Sequence, residues 1–299
     1  MTKENKIKKL ANYAIDNIKH IIEEFGERAP GSEGERKTQE YMAKDLEKYA
    51  DEVKLEEFKV APKAFMGFFP IIGFLLIISI LLYWIIPWLA FVLDLIVIVI
   101  IVQEFVRYKQ ILDPFFPKKV STNLIGTKKP SGGTKRRILL GGHPDAAFEM
   151  RYNNSENRKL VRIVLIPAVL LLLFKLIVDF SNLIFNFSWQ SGYSFTNIWV
   201  ILGIIEIGAI PLIIAVMRFI NFKIVVPGAG DNLSGSYVTL SVAKYLHDEG
   251  INLKNTEIVF LNTGSEEAGL RGAKAYVKKH IGELKEVPSM YIALDTFRD

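Results

Sequence analysis

The chain has 299 residues, half of them hydrophobic, with 37 Lys and Arg, 32 Asp and Glu and no cysteine. This composition excludes a disordered chain, a disulfide framework and a thiolate metal site, and a net charge of +5 over this length is too dilute for a nucleic-acid-binding surface. The mean hydropathy is +0.24 although 23% of the residues are charged, so the apolar residues must be concentrated in blocks.

The N-terminal part of the chain is predicted to alternate helix and strand. Residues 1–25 are charged throughout and place apolar side chains at helical spacing, which predicts an amphipathic helix and no signal peptide. Ser32 followed by Glu35 is a capping-box pattern, and it predicts a second helix through about Tyr49. Residues 52–60 favour a strand. This order is typical of an α/β domain.

A first apolar block occupies residues 64–106, with only Asp94 and Glu104 charged. About 20 helical residues cross a hydrocarbon core of about 30 Å, so the block is long enough for two crossings with a turn near Pro87. A buried core helix is the alternative, but so long an uncharged run favours the membrane. We therefore predict a transmembrane hairpin here.

Two predicted strands follow, at residues 122–126 and 137–142. The second is a continuous apolar run bounded by polar residues, as expected of a central strand covered on both faces. It is followed by His143 and Asp145, at the carboxyl end of a strand, where the ligands and chemistry of α/β sheets gather.

A second apolar block occupies residues 160–220. It divides into two runs of helical length, 160–178 and 198–217, joined by a polar and aromatic connection at 179–197. We predict a second transmembrane hairpin from this pattern.

Three charged residues lie deep in the predicted hairpins: Asp94, Lys175 and Glu206. Counting along the helices puts Asp94 and Lys175 within about 10 Å of the same interface. We predict an ion pair between them, because an unpaired charge in lipid is costly; separate snorkelling to the interface is the alternative. The sequence offers Glu206 no partner, so this side chain is either protonated or part of a functional cavity.

Both hairpins return to the side from which they start, which leaves one discontinuous soluble domain at residues 1–63, 107–159 and 221–299. The predicted far-side turns contain no Lys or Arg. The domain side of the helices carries eight basic residues: Lys63, Arg107, Lys109, Arg158, Lys159, Arg162, Arg218 and Lys223. By the positive-inside rule, we predict an integral membrane protein whose soluble domain lies on the cytoplasmic side of the lipid bilayer.

The last part of the soluble domain alternates again, with helices predicted at 234–248 and 269–279 and strands at 256–262 and 290–294. The chain is therefore predicted to be an α/β protein: a mixed central sheet flanked by helices, with two inserted transmembrane helical hairpins.

Strand ends and the following loops carry the hard metal ligands His143, Asp231, Glu266, Glu267 and Asp295. One imidazole with several carboxylates suits zinc or another first-row divalent ion, and without thiols a hydrolytic site is favoured over a structural one. Each of these residues also has an alternative explanation that involves no metal. The histidine could be a satisfied core residue, and the acids could be a helix cap, a solvated pair at a helix N-terminus and a surface acid.

The segments GERAPGS (26–32), GHPD (142–145), GDNLSG (230–235), GSEEAGL (264–270) and ALD (293–295) occur in this order along the chain. With them the chain resembles the M28 family of zinc metallopeptidases, the aminopeptidase and glutamate-carboxypeptidase-like group. Each segment is weak alone, but together they span nearly all the soluble residues. The resemblance implies a zinc-exopeptidase-like fold.

The resemblance also implies the roles of individual residues. His143 would bind one zinc ion and Asp231 would bridge two. Glu267 would bind the second ion, and Asp295 would complete the set around the first. The family further suggests a cis peptide bond after Asp231.

The remaining roles concern proton transfer. By the resemblance, Asp145 would accept a hydrogen bond that orients the metal-binding histidine. Glu266 would be the general base that takes a proton from water and returns it to the leaving amine. A carboxylate bound to zinc is a poor proton acceptor, so the base must be the free member of the Glu266–Glu267 pair. The assignment of each glutamate comes from the family and not from the spacing.

The sequence departs from the family pattern in its ligands. The family has a fifth ligand, a histidine well beyond the position of Asp295, and Pro144 stands where the family more often has an aromatic residue. The other histidines of the chain are predicted on helices away from the site: His20, His247 and His280. We therefore expect a C-terminally truncated form of a longer protein, with one zinc site complete, so that one zinc ion or none could bind instead of two.

With the two apolar blocks, the resemblance implies a membrane-integrated zinc exopeptidase, and within the family it favours an aminopeptidase acting on short peptides. A carboxypeptidase would need a basic pocket for the terminal carboxylate, and the sequence does not locate one. A glutaminyl-cyclase-like acyl transfer with one zinc is a second hypothesis, and a catalytically silent membrane receptor or scaffold on the same fold is a third. The oligomeric state and the preferred side chain do not follow from the sequence.

Overall fold

The computed structural model describes residues 2–152, 158–185 and 197–296. The chain divides into two compact units. The first consists of Met1–Pro62, Phe116–Phe148 and Ile224–Asp299, and the second of Lys63–Phe115 and Glu149–Lys223. The second unit is broader than the two predicted hairpins, because it also takes in short segments beside the apolar helices.

The helices and strands follow one another as the alternation in the sequence predicts. The helices are α1 (Lys3–Phe25), α2 (Glu33–Leu46), α3 (Ala64–Tyr83), α4 (Pro87–Ile101), α5 (Arg158–Phe185), α6 (Ile198–Gly208), α7 (Ile210–Met217), α8 (Ser234–Asp248) and α9 (Arg271–Glu286). The strands are β1 (Glu52–Val60), β2 (Lys119–Lys128), β3 (Arg136–Gly142), β4 (Phe148–Met150), β5 (Ile220–Val225), β6 (Thr256–Asn262) and β7 (Ser289–Ala293).

The first unit is built on a five-stranded sheet in the order β1-β2-β6-β3-β7. β2 pairs antiparallel with β1 and β6, whereas β3 pairs parallel with β6 and β7, so the sheet is mixed as predicted. Gly142 pairs with Asn262 and Gly141 with Ala293. The three parallel strands therefore end at the same level, at one edge of the sheet.

Helices cover both faces of this sheet. Alternate residues of a strand point to opposite faces, so Phe260 joins a core with Met42 of α2 and Tyr237 of α8, while Val259 faces the other way and packs in a core with Tyr276 of α9. Each fully buried large apolar side chain contributes about 1.5–3 kcal/mol. The predicted mixed sheet flanked by helices is confirmed. β4 and β5 form a separate two-stranded sheet.

The second unit holds the apolar helices. Among the described residues, four helices are long and apolar enough to span a membrane: Ala64–Tyr83, Pro87–Val106, Lys159–Phe185 and Ile198–Met217. The last of these is interrupted at Ala209, where α6 ends and α7 begins with a proline at the start of its first turn.

Two predictions about the polar residues of this unit are wrong. The connection predicted at 179–197 begins too early, because α5 continues through Phe185; residues 186–196 lie outside the described part of the chain. Asp179 is thus a helical residue one turn after Lys175, and the two side chains form an ion pair of 2.8 Å. Glu206 does have a partner, because its carboxylate lies 3.0 Å from the Lys175 ammonium.

Lys175 is the centre of a buried polar cluster, which we call the lysine cluster: Lys175, Asp94, Asp179 and Glu206, none of them exposed. The predicted pair with Asp94 is present, with 3.6 Å between Nζ and Oδ2. Asp94 also accepts a hydrogen bond of 2.8 Å from the Ser79 hydroxyl. The ammonium group of Lys175 therefore contacts three carboxyl groups, which belong to α4, α5 and α6.

Candidate metal centre

The candidate site forms where the parallel strands end. His143 follows β3, Glu266 lies in the loop after β6, and Asp295 follows β7. Because the carboxyl ends of parallel strands meet at one edge of a sheet, these three residues come together although they are far apart in sequence. Asp231 lies in the turn before α8, and the side-chain amide of the next residue, Asn232, donates a hydrogen bond of 2.9 Å to the Leu294 carbonyl.

The imidazole of His143 is the buried centre of this site and is 3% exposed. Its Nε2 lies 3.3 Å from Asp231 Oδ1, 3.6 Å from Glu266 Oε2 and 3.8 Å from Asp295 Oδ1. On the other side of the ring, Nδ1 lies 3.3 Å from Asp145 Oδ1. Burial disfavours the charged imidazole, but its contacts with these carboxylates outweigh this effect and raise the pKa of His143.

These residues fit a divalent metal ion. Ligand atoms of His143, Asp231 and Asp295 lie within 4.8 Å of one another. The buried Nε2 of the histidine has no hydrogen-bond partner among the described residues, which is unusual for a buried polar atom. One imidazole nitrogen facing carboxylate oxygens is a donor set that zinc accepts.

Glu266 and Glu267 follow each other at the edge of the site, where both carboxyl groups are desolvated. Burial raises the pKa of Glu266 to about 7. Burial, followed by the charge of Asp145, raises the pKa of Glu267 to about 8. Glu267 is not one of the three possible ligands, which are His143, Asp231 and Asp295.

Asp145 has a role in the structure that the sequence did not suggest. One of its carboxylate oxygens accepts the backbone N–H of Glu266 at 3.1 Å, and the other accepts that of Glu267 at 3.0 Å. The side chain is fully buried. Asp145 therefore joins the loop after β3 to the loop that carries both glutamates.

Sequence reasoning also missed two buried charged residues behind the site, Arg28 and Glu35, each 1% exposed. Glu35 was interpreted only as part of a capping box. Its carboxylate accepts hydrogen bonds from the Ser265 backbone N–H and, at 3.0 Å, from the Ser121 hydroxyl. Arg28 belongs to the 26–32 segment of the family resemblance, and Glu35 follows this segment closely. The resemblance therefore pointed to this region, but no role was assigned to it.

The peptide bond between Asp231 and Asn232 is cis, as the family resemblance suggests. Residues 217–298 match the family model described as Peptidase family M28. The matched segment contains Asp231, Glu266 and Asp295. It begins well after His143 and does not include this residue. The match confirms the M28 resemblance over this part of the chain.

Several solved structures are similar to the chain at low sequence identity. A leucine aminopeptidase precursor from Bacteroides thetaiotaomicron is 15% identical, with a TM-score of 0.45, covering 96% of this chain and 62% of that one. A Zn-dependent exopeptidase from Parabacteroides distasonis is 13% identical, with a TM-score of 0.46 and coverages of 96% and 61%. A glutaminyl cyclase from Fimbriiglobus ruber is 14% identical, with a TM-score of 0.46 and coverages of 94% and 58%.

The chain thus spans less than two thirds of the length of these three structures, 58% to 62%. None of the curated proteins matches the chain by sequence.

Proposed function

We propose that the chain is a membrane-integrated, zinc-dependent exopeptidase of M28 type, acting as an aminopeptidase on short peptides. The observation that carries the proposal is the buried Nε2 of His143, which faces the carboxylates of Asp231 and Asp295 and has no hydrogen-bond partner in the described part of the chain. The match of residues 217–298 to Peptidase family M28 supports it independently.

In this proposal His143, Asp231 and Asp295 would hold one zinc ion. Glu267 and Asp231 would hold a second, as the family resemblance implies. When bound, zinc supplies Lewis-acid chemistry that polarises a carbonyl group and acidifies water. Asp145 Oδ1 lies 3.3 Å from Nδ1, on the opposite side of the ring from the proposed metal, and would orient the imidazole from there. Its two backbone hydrogen bonds hold the glutamate loop beside the histidine.

Glu266 is the proposed general base. Burial raises the pKa of its carboxyl group, which favours the acceptance of a proton from water and its later release. The carboxylate takes the proton of the attacking water and returns it to the amine of the departing residue. Its Oε2 lies 3.6 Å from His143 Nε2, so it borders the atoms that would hold the metal.

The acidic side chains of Asp231, Glu266, Glu267 and Asp295 surround the imidazole or adjoin it. A carboxylate among them that is not engaged by metal could accept a hydrogen bond from the ammonium group of a free amino terminus. On this ground we propose an aminopeptidase rather than a carboxypeptidase.

A glutaminyl-cyclase-like acyl transfer remains the second candidate. It is favoured by one observation: the described residues bring together one group of three metal ligands, which is enough for a single ion. Supplying the purified chain with zinc and either an aminoacyl amide or a peptide with N-terminal glutamine separates the two. Release of ammonia from the glutamine side chain without peptide-bond cleavage would favour the cyclase, and the silent scaffold would catalyse neither reaction.

We expect Asp231→Ala to lose bound zinc, because only His143 and Asp295 of the three-residue group remain. Elemental analysis of the purified chain measures the zinc content. Asp248→Ala is the matched control, since its side chain is 48% exposed, as is that of Asp231, and lies at the far end of α8. If one zinc ion stays fully bound to Asp231→Ala, this residue is not a bridging ligand.

The proposed orientation places the soluble domain in the cytoplasm. We expect single cysteines introduced for Lys63 or Lys223 to escape a membrane-impermeant thiol reagent in intact cells and to react after permeabilisation. The chain has no native cysteine that would interfere. A cysteine replacing Trp88, which is exposed in the first turn of α4, should react from outside. The reverse labelling pattern would overturn the cytoplasmic assignment.

A further inference from the structure

We propose that Arg28 is a positioning residue that holds the His143 loop and the Asp231 loop at the spacing a shared metal ion requires. The inference rests on the proposed metal site. Arg28 lies in the loop between α1 and α2 and does not belong to the group of possible ligands.

The guanidinium group of Arg28 bonds to both ligand loops at once. Nε donates to the Pro144 carbonyl at 2.9 Å, directly after His143 in the chain. Nη2 donates to the carbonyls of Pro227 at 2.6 Å and Gly228 at 3.2 Å, in the segment that leads to Asp231. One side chain thus joins two segments that are far apart in sequence.

The backbone of the same residue adds a further connection, because the Arg28 carbonyl accepts the Ala146 N–H at 2.9 Å. The approach to the second loop depends on a glycine. Gly228 has a φ of +59°, and a Cβ built there would lie 2.8 Å from Arg28 Nη2 and 2.7 Å from the Ala146 methyl group. The loop before Asp231 is therefore shaped to receive the guanidinium.

Burial of the charged guanidinium group of Arg28 costs desolvation free energy, which an apolar side chain in its place would not. Burial lowers its pKa to about 10, so the group is still charged at neutral pH. Its described side-chain hydrogen bonds all end on backbone carbonyls: those of Gly26, Pro144, Pro227 and Gly228. A planar fork of N–H donors can bind several carbonyls in fixed directions, which the single ammonium of lysine cannot do. The geometry therefore requires arginine specifically.

The test compares Arg28→Lys with a matched control, Arg137→Lys. Arg137 lies at the opposite end of β3 from His143, and its guanidinium also bonds a backbone carbonyl, that of Glu283 at 2.6 Å. Each full-length variant is purified in detergent and titrated with Co²⁺, which replaces zinc and reports ligand geometry through its visible absorption. Metal affinity is measured by competition with a chelator.

We expect Arg28→Lys to bind Co²⁺ about 10- to 100-fold more weakly, with a changed absorption spectrum, as is typical when groups that orient metal ligands are altered. Arg137→Lys should keep the wild-type spectrum and an affinity within about twofold of it. In Arg28→Ala, free guanidinium at millimolar concentration should restore the spectrum. Restoration would identify a positioning role, because a general loss of folding would not be reversed by this ion.

Three results would contradict the inference, and each has a different meaning. Equal affinity and identical spectra for wild type and Arg28→Lys would overturn the role of Arg28 and leave the metal site standing. Absence of Co²⁺ binding in the wild type itself would overturn the proposed function, and the positioning role with it. If Arg28→Lys did not fold, failure of guanidinium to rescue Arg28→Ala would overturn the positioning role.

Discussion

Glu266→Gln is expected to lower peptide hydrolysis by about 10²- to 10⁴-fold, which is the usual contribution of a general base. The amide is nearly the same size as the carboxylate but cannot accept the proton of water. The backbone N–H of residue 266 can still bond Asp145, so the loop keeps its position. The zinc content should therefore stay at the wild-type value while turnover is lost, and both are measured on the same preparation.

Glu267→Gln is the control for this variant, because the neighbouring glutamate is proposed as a ligand instead of the base. It should lose zinc together with activity. If Glu266→Gln releases zinc and Glu267→Gln retains it, the roles of the two residues are the reverse of those proposed. Full activity in Glu266→Gln would remove this residue from the mechanism altogether.

Lys175→Met is expected to lower the free energy of unfolding by about 3–5 kcal/mol, the usual cost of breaking a buried ion pair by removing one partner. The lysine cluster has one ammonium for three carboxyl groups, and Asp179 and Glu206 lie 2.8 and 3.0 Å from it. Without the ammonium, no described cation remains beside these carboxyl groups. Denaturant or thermal unfolding in detergent micelles measures the loss.

Two comparisons make this result specific. Lys37→Met removes an exposed lysine that also pairs with a glutamate four residues away, and it should change stability by less than about 1 kcal/mol. Asp94→Asn combined with Lys175→Met should be less destabilising than the sum of the single changes, since the pair is 3.6 Å apart. Additive effects would contradict an interaction between the two helices at this point.

Local patterns in the sequence were sufficient to predict most of the fold. The strand β6 was predicted at its exact residues, because a short apolar run bounded by polar residues is typical of a central strand. The helix α8 was likewise predicted from Ser234 to Asp248. The apolar helices followed from their length and lack of charge, and the match to Peptidase family M28 agrees with the motifs around Asp231 and Glu266.

Predictions failed at two charged residues of the apolar helices, Asp179 and Glu206. The polarity of Asp179 suggested the end of a helix, but α5 continues because Lys175 neutralises this charge one turn earlier. Glu206 had no partner in sequence, since the ammonium that it contacts belongs to another helix. The contact of Glu206 leaves no periodic signal, because it depends on how separate helices pack, whereas Lys175 and Asp179 are one turn apart on the same helix and their spacing was visible in the sequence.

The sequence by itself determined which residue types could form the site: one histidine and several acids at strand ends. Only the tertiary structure decided how they are arranged. It brought His143 and Asp231 to 3.3 Å, joined Asp145 to the backbone of both glutamates, and placed Arg28 between the two ligand loops. Strand periodicity records which face a residue occupies, whereas these hydrogen bonds depend on loop geometry, which no periodic pattern encodes.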